Sequence, residues 1–67
     1  MNETIVKNIK AYADKKGMNI SQLEVASKIG NGTIGKWNAG KNEPSLRILE
    51  KIAKVLDVKI SALLEKV

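Results

Sequence analysis

The sequence predicts an all-α fold, and three observations support this. The chain has 67 residues, which limits it to one domain, and we expect that domain to span residues 1–67. The apolar residues are almost all aliphatic, with no Phe, one Tyr and one Trp, which suits helix packing better than an aromatic and β-branched sheet. Apolar residues also recur at spacings of three and four, as the buried face of a helix requires.

Composition and charge narrow the functions that the chain can have. It has no Cys and no His, which excludes disulfides, thiolate or imidazole catalysis and the usual soft-metal ligands. The seven carboxylates are dispersed along the chain and not paired for acid–base hydrolysis. We therefore expect no enzyme activity, no metal and no cofactor. A formal net charge of +5 favours a polyanionic partner such as nucleic acid.

Neither a membrane span nor an export signal is evident in the sequence. No apolar run approaches the roughly 18 residues that a bilayer requires. The first ten residues, MNETIVKNIK, lack the apolar core of a signal peptide. We therefore expect a cytoplasmic protein with no membrane partner.

A first helix is predicted from a cap at Asn2 or Thr4 to about Lys16. Gly17 should end it in a left-handed conformation, because glycine adopts positive φ without a steric penalty. The predicted inward face of this helix consists of Ile5, Ile9, Tyr12 and Ala13.

Residues 20–39, ISQLEVASKIGNGTIGKWNA, predict two short helices joined by a tight turn. Ser21 should cap the first of them, and Gly30 should open the second. Ile34 and Trp37 stand three residues apart and should anchor the second helix to the body. The inward candidates before them are Leu23, Val25, Ala26 and, in the turn, Ile29. The outward face of the second helix would then be polar and basic, formed by Asn31, Gly32, Gly35 and Lys36.

Two further helices complete the predicted fold. After a loop at residues 40–44, Ser45 should cap a helix with the sequence LRILEKIAKVL. Its apolar stripe consists of Leu46, Leu49, Ile52, Ala53 and Leu56. A last short helix should run from about Ile60 to Lys66. Its apolar residues either pack on the preceding helix or form a homodimer interface, for which the candidates are Ile60, Leu63, Leu64 and Val67.

The joint pattern of these residues resembles the Cro/CI-type helix-turn-helix proteins of the XRE family. The resemblance is carried by the segment EPSLRILEKIAKVLDV and by the spacing of Leu23, Ile29, Ile34, Trp37 and Gly40. It implies a compact five-helix, lambda-repressor-like DNA-binding domain whose third helix lies in the major groove of double-stranded DNA. It also implies a transcriptional regulator, a repressor in many relatives, that binds a two-fold symmetric operator as a homodimer.

The family's DNA contacts can be carried over position by position. The positions that usually meet base edges are Asn31, Gly32 and Lys36. Thr33, Lys41 and Asn42 match positions that contact phosphates in the family. Ser21 or Gln22 would replace the phosphate-binding Gln that relatives have at the position of Ile20.

The chain also departs from the family's usual pattern. Glu24 stands where most relatives have a small residue, and Lys28 stands where they have a turn glycine. Either Lys28 adopts a left-handed conformation or the turn has a different shape. Ala13 and Asn38 replace a buried Arg–Glu pair, and their joint replacement leaves no lone buried charge.

Three glycines at positions 30, 32 and 35 leave two interpretations open. They predict either a close backbone approach to DNA or a reading helix that recognises few bases.

Two function hypotheses follow. The first is a sequence-specific DNA-binding regulator, favoured by Lys28, Lys36 and Lys41 on one part of the surface. The second is an antitoxin-like or anti-repressor interaction module that has lost operator reading, favoured by Gly32 and Glu24. Without a second domain, we expect no small-molecule effector. Binding to duplex DNA at low salt discriminates between the two hypotheses.

Overall fold

In the computed structural model, which describes residues 2–65, all regular structure is helical. The five helices are α1 (Asn2–Lys15), α2 (Ile20–Ser27), α3 (Thr33–Asn38), α4 (Leu46–Leu56) and α5 (Ile60–Leu64). The predicted all-α, five-helix architecture is thereby confirmed, and the predicted bounds of α4 match those observed.

The five helices share one hydrophobic core. α1 packs against α2, α3 and α5, while α4 packs against α2 and α5. The largest fully buried side chain is Trp37 of α3, and Ile9, Leu23, Ile52 and Leu63 are buried with it from the other four helices. Since α3 contributes to a core built from all the helices, its orientation is tied to the whole domain.

Turn chemistry sets several helix ends as predicted. Gly17 follows α1 with φ of 69°, the left-handed conformation in which glycine carries no Cβ penalty. The Ser45 hydroxyl accepts a hydrogen bond from the Ile48 amide at 3.2 Å and caps α4. At the other end of α4, Asp57 also adopts a left-handed conformation.

The prediction that Ser21 caps α2 is wrong. The cap is Asn19, whose Oδ1 accepts from the Gln22 amide at 2.8 Å. The Asn19 amide donates in return to Gln22 Oε1 at 2.9 Å. This reciprocal pair is a capping box, which satisfies two amide donors at the start of the helix.

Three apolar residues that the sequence assigned to the interior lie at the surface. Val25 is 78% exposed and Leu46 is 64% exposed, and Ala26 is exposed beside Val25. Leu46 is the first residue of α4, so it precedes the part of the stripe that reaches the core. In α2, the residues buried with Leu23 are Glu24 and Ser27.

The C-terminal helix is fixed by a buried amide that sequence reasoning missed. Asn8 of α1 is buried, and its Nδ2 donates to the carbonyl oxygens of Leu63 at 2.8 Å and Glu65 at 2.6 Å. The Leu63 carbonyl lies in the last turn of α5 and the Glu65 carbonyl belongs to its C-cap residue, where the helix itself supplies no donor. α5 is therefore capped by α1 and ends at Leu64, before the predicted end at Lys66, which lies outside the described residues.

This packing corrects the predicted dimer interface. Leu63 is fully buried in the core of the single chain, so it is not available to a second copy. Ile60 is half-buried, Leu64 is 48% exposed, and Val67 lies outside the described residues. The apolar surface described on α5 therefore comes from Leu64 and from parts of Ile60 and Ala62.

Candidate nucleic-acid interface

The third helix is shorter than predicted and begins later. It starts at Thr33 with Gly32 as its N-cap, so the prediction that Gly30 opens it is wrong. Ile34 and Trp37 are 1% and 2% exposed, as expected for its anchors. Their burial directs the opposite face outward, where Lys36 is exposed.

Two of the predicted base-contacting residues precede this helix. Asn31 and Gly32 are exposed in the turn that leads into α3, and Lys36 lies one turn further along. The structure thus exposes all three of them at the N-terminal end and outer face of the same short helix.

The turn between α2 and α3 requires a left-handed residue. Lys28 has φ of 58° and ψ of 38°, the conformation expected for a position that is glycine in many relatives. The amide of the next residue, Ile29, donates to the Glu24 carbonyl at 3.1 Å, and the Ile29 side chain packs against the core. The turn thus ends α2 and redirects the chain while it keeps one apolar contact with the body.

Glu24 connects α2 to the beginning of α3. Its side chain is buried, at 3% exposure. Oε1 accepts from the Gly32 amide at 3.1 Å, and Oε2 accepts from the Ile34 amide at 3.0 Å. The sequence showed only that a carboxylate replaces a small residue here, and this substitution was the one available signal of the contact.

Of the three glycines considered in the sequence, only Gly35 lies within α3. Gly32 has φ of 86°, which L side chains rarely adopt, so glycine suits this position better than any other residue. Its lack of a side chain also leaves α3 without a side-chain cap of its own. An interior glycine lowers helix stability relative to alanine, and within α3 this cost applies to Gly35 alone.

Among the predicted phosphate-contacting residues, Ser21 and Gln22 are exposed on the first turn of α2. The capping box uses Gln22 Oε1, which leaves the amide nitrogen as the group able to donate to a phosphate. Thr33 is half-buried, and its hydroxyl donates to the Gly30 carbonyl at 2.6 Å. A phosphate contact from the Thr33 hydroxyl would have to replace this bond.

A tight helix end places the other two predicted phosphate contacts beside α3. Gly40 has φ of 74°, and its amide donates to the Trp37 carbonyl at 3.0 Å, while the Lys41 amide donates to the Lys36 carbonyl at 2.9 Å. This pair of bonds is a Schellman motif, which holds the Lys41 backbone against the last turn of α3.

The loop after α3 is also held from the opposite side. Asn2 Nδ2 donates to the Asn42 carbonyl at 3.1 Å, so the first residue of α1 contacts this loop. Lys41 and Asn42 are both exposed. Glu43 is exposed next to them and would oppose a nearby phosphate.

Between Asn31 and Asn42 the exposed side chains are polar apart from that of Ala39, and they flank two buried anchors, with lysines at positions 36 and 41. Such a surface can donate hydrogen bonds and neutralise phosphates. The residues described do not include a cluster of three or more metal-ligating acidic groups. Nor does any helix within residues 2–65 have the length and apolarity to cross a membrane.

Comparisons with known proteins agree with this geometry. A helix-turn-helix family model matches residues 9–63. The fold is similar to the crystal structure of the clp gene regulator ClgR from Corynebacterium glutamicum, with a TM-score of 0.80 and 21% sequence identity over 94% of this chain and 67% of that one. A search of curated proteins gave no match.

Proposed function

The chain belongs to the XRE family of helix-turn-helix proteins, and from this membership we propose that it is a sequence-specific transcriptional regulator of the repressor type. Its ligand would be double-stranded DNA, with the N-terminal end of α3 inserted into the major groove. The protein of similar fold, ClgR, is a gene regulator, which supports the same class of function. As such a regulator the chain would act in the cytoplasm.

The observation that carries this proposal is the orientation of α3. Ile34 and Trp37 of α3 are buried, while Lys36 of the same helix and Asn31 in the turn before it are exposed. An Asn side chain can pair with the N6 and N7 positions of adenine, and a Lys side chain can donate to guanine O6 and N7. We propose that Asn31 and Lys36 have these roles and that Gly32 allows the backbone to approach the bases closely.

Phosphate contacts would position the domain on both sides of α3. Ser21 and Gln22 lie at the start of α2, and Lys41 and Asn42 lie in the loop after α3. Each lysine that neutralises a phosphate contributes about 0.9 to the slope of log affinity against log salt. The salt dependence of binding therefore measures how many lysines contact the backbone.

We propose further that the chain binds as a homodimer through the exposed part of α5. Leu64 is 48% exposed, and Ile60 on the same helix is half-buried. A two-fold symmetric dimer would place its reading helices in half-sites about 34–36 Å apart. The interface would exclude Leu63, which the single chain already buries.

Selection of bound sequences from a random pool of duplex DNA tests this function. The proposal predicts a two-fold symmetric consensus, because each half-site would contact one copy of α3. Asn31→Ala should reduce the preference for the selected sequence by about 1–3 kcal/mol, whereas Lys41→Ala should weaken binding to all sequences alike. Equal losses on selected and random DNA for both variants would reject this division of roles.

The alternative is a protein-interaction module that keeps the fold but does not read DNA. In the sequence this alternative was favoured by Gly32 and Glu24, and the contacts of Glu24 now give that residue a role inside the domain. A chain that fails to bind random duplex DNA even at low salt would favour the alternative.

A further inference from the structure

We propose that Glu24 is the positioning residue of the DNA-reading segment. Its carboxylate would fix the start of α3, and hence the directions in which Asn31 and Lys36 project. The geometry of this inference comes from hydrogen bonds within the folded chain. Its effect on DNA discrimination rests on the proposed function.

The first reason is that α3 has no residue of its own that can accept a hydrogen bond from the amides at its start. It has only six residues, which is too short for a helix to be stable on its own. Its N-cap is Gly32, which has no side chain to accept from the helix amides, and φ of 86° there disfavours replacement by a usual cap residue. The acceptor must come from elsewhere in the chain.

The second reason is the geometry of the contact that Glu24 makes. The two carboxylate oxygens bind two different amides, Gly32 at 3.1 Å and Ile34 at 3.0 Å. These amides lie on either side of Thr33, so the contact restrains both the position and the rotation of the first turn of α3. Glu24 is itself on α2, so the contact fixes α3 relative to that helix.

The position of the contact relates it directly to DNA reading. Asn31 immediately precedes Gly32, and Lys36 follows Ile34 by two residues. A base pair is read by hydrogen bonds whose geometry tolerates little displacement. A change in the direction of the first turn of α3 would therefore move both reading side chains together.

The same contact limits how phosphate can bind. Free amides at a helix N-terminus are frequent phosphate ligands. Here a buried, negatively charged acceptor occupies two of these amides, so the start of α3 would not bind phosphate through them. Phosphate contacts are left to side chains such as Lys41, and sequence reading is left to Asn31 and Lys36.

The test compares Glu24→Gln with Glu50→Gln. Both variants remove one negative charge, but Glu50 is exposed on α4, so it controls for the general gain in affinity for a polyanion. Affinities are measured for the selected sequence and for random duplex DNA at one salt concentration, at a temperature where both variants are fully folded by circular dichroism.

We expect Glu24→Gln to reduce the ratio of the affinity for the selected sequence to the affinity for random DNA by about tenfold or more. The substitution would displace Asn31 and Lys36, and one good contact between a side chain and a base discriminates between bases by about this factor. Glu50→Gln should leave the ratio unchanged. A folded Glu24→Gln variant with an unchanged ratio would overturn the positioning role while leaving the proposed function intact. Failure of the unaltered chain to bind any duplex would refute the function and this role together.

A second measurement needs neither DNA nor a variant. Amide hydrogen exchange in the unaltered chain should show Gly32 and Ile34 protected to about the same extent as Lys36, whose amide donates to the Gly32 carbonyl at 3.1 Å. Exchange of Gly32 and Ile34 at the rate of an unbonded turn amide would overturn the proposal, even if the variants could not be compared.

Discussion

Replacing Asn8 by alanine should destabilise the domain severely, although Asn8 is distant in sequence from the helix that it supports. Its Nδ2 donates to two carbonyls at the end of α5, Leu63 at 2.8 Å and Glu65 at 2.6 Å. The first bond is buried and the second is partly buried. Asn8→Ala removes both donors at once.

The size of the effect follows from these two environments. A buried carbonyl that loses its partner costs about 1–3 kcal/mol, and a partly buried one that water can reach costs about 0.5–1.5 kcal/mol. We therefore expect a loss of about 2–4 kcal/mol in the free energy of unfolding. A domain of this size has a net stability of only a few kcal/mol, and each kcal/mol corresponds to about 4–8 °C in Tm.

Urea denaturation followed by circular dichroism measures this loss directly. Asn38→Ala is a matched control, because Asn38 is exposed on α3, and we expect its effect to stay within about 0.5 kcal/mol. A loss below about 0.5 kcal/mol for Asn8→Ala would refute the reasoning that this amide caps α5.

Four further predictions concern the turn, the caps, the DNA and the dimer. Lys28→Gly should raise the free energy of unfolding by about 1 kcal/mol in urea denaturation, because it relieves a left-handed residue at φ of 58°, and a loss would contradict this. Ser45→Ala should cost about 1 kcal/mol in the same assay through loss of the α4 cap, whereas no change would show that the cap is dispensable. Lys41→Ala should lower the salt slope of DNA binding by about 0.9, and an unchanged slope would remove Lys41 from the phosphate contacts. Leu64→Lys should shift sedimentation equilibrium toward the monomer, and an unaltered mass distribution would place any dimer interface elsewhere.

Elements with strong local signals could be predicted from the sequence. The bounds of α4 were predicted because Ser45 caps it and an aliphatic stripe runs along it. The left-handed conformation of Gly17 was also predicted, from glycine chemistry. That of Lys28 was one of two alternatives left open by the turn glycine of relatives, and the structure selects it. The anchoring of α3 by Ile34 and Trp37 followed from their spacing.

Two wrong predictions, the cap of α2 and the start of α3, came from local choices between similar residues. Asn19 and Ser21 are both good cap residues, and the correct choice depended on the reciprocal bond from Gln22, three residues after Asn19. That spacing was visible in the sequence. The start of α3 was placed too early because a glycine can open a helix at Gly30 or at Gly32, and the tertiary contact between Glu24 and the Gly32 amide was not visible in the sequence.

The buried polar contacts could not be predicted, because they join residues through the tertiary fold. Asn8 meets the end of α5 more than fifty positions later in the chain, and no local pattern marks it. Glu24 was recognised as unusual for the family, but a single sequence does not show which amides a buried carboxylate meets. These two contacts join α1 to the end of α5 and α2 to the start of α3.

Whether the exposed face of α3 contacts DNA can be measured by amide chemical shifts during a titration with duplex DNA. We expect the largest shift changes at Asn31, Gly32, Lys36 and Lys41, and we expect them to diminish as salt is added. Shift changes confined to the exposed residues of α1, such as Lys7 and Lys10, or no changes even at low salt, would contradict this contact.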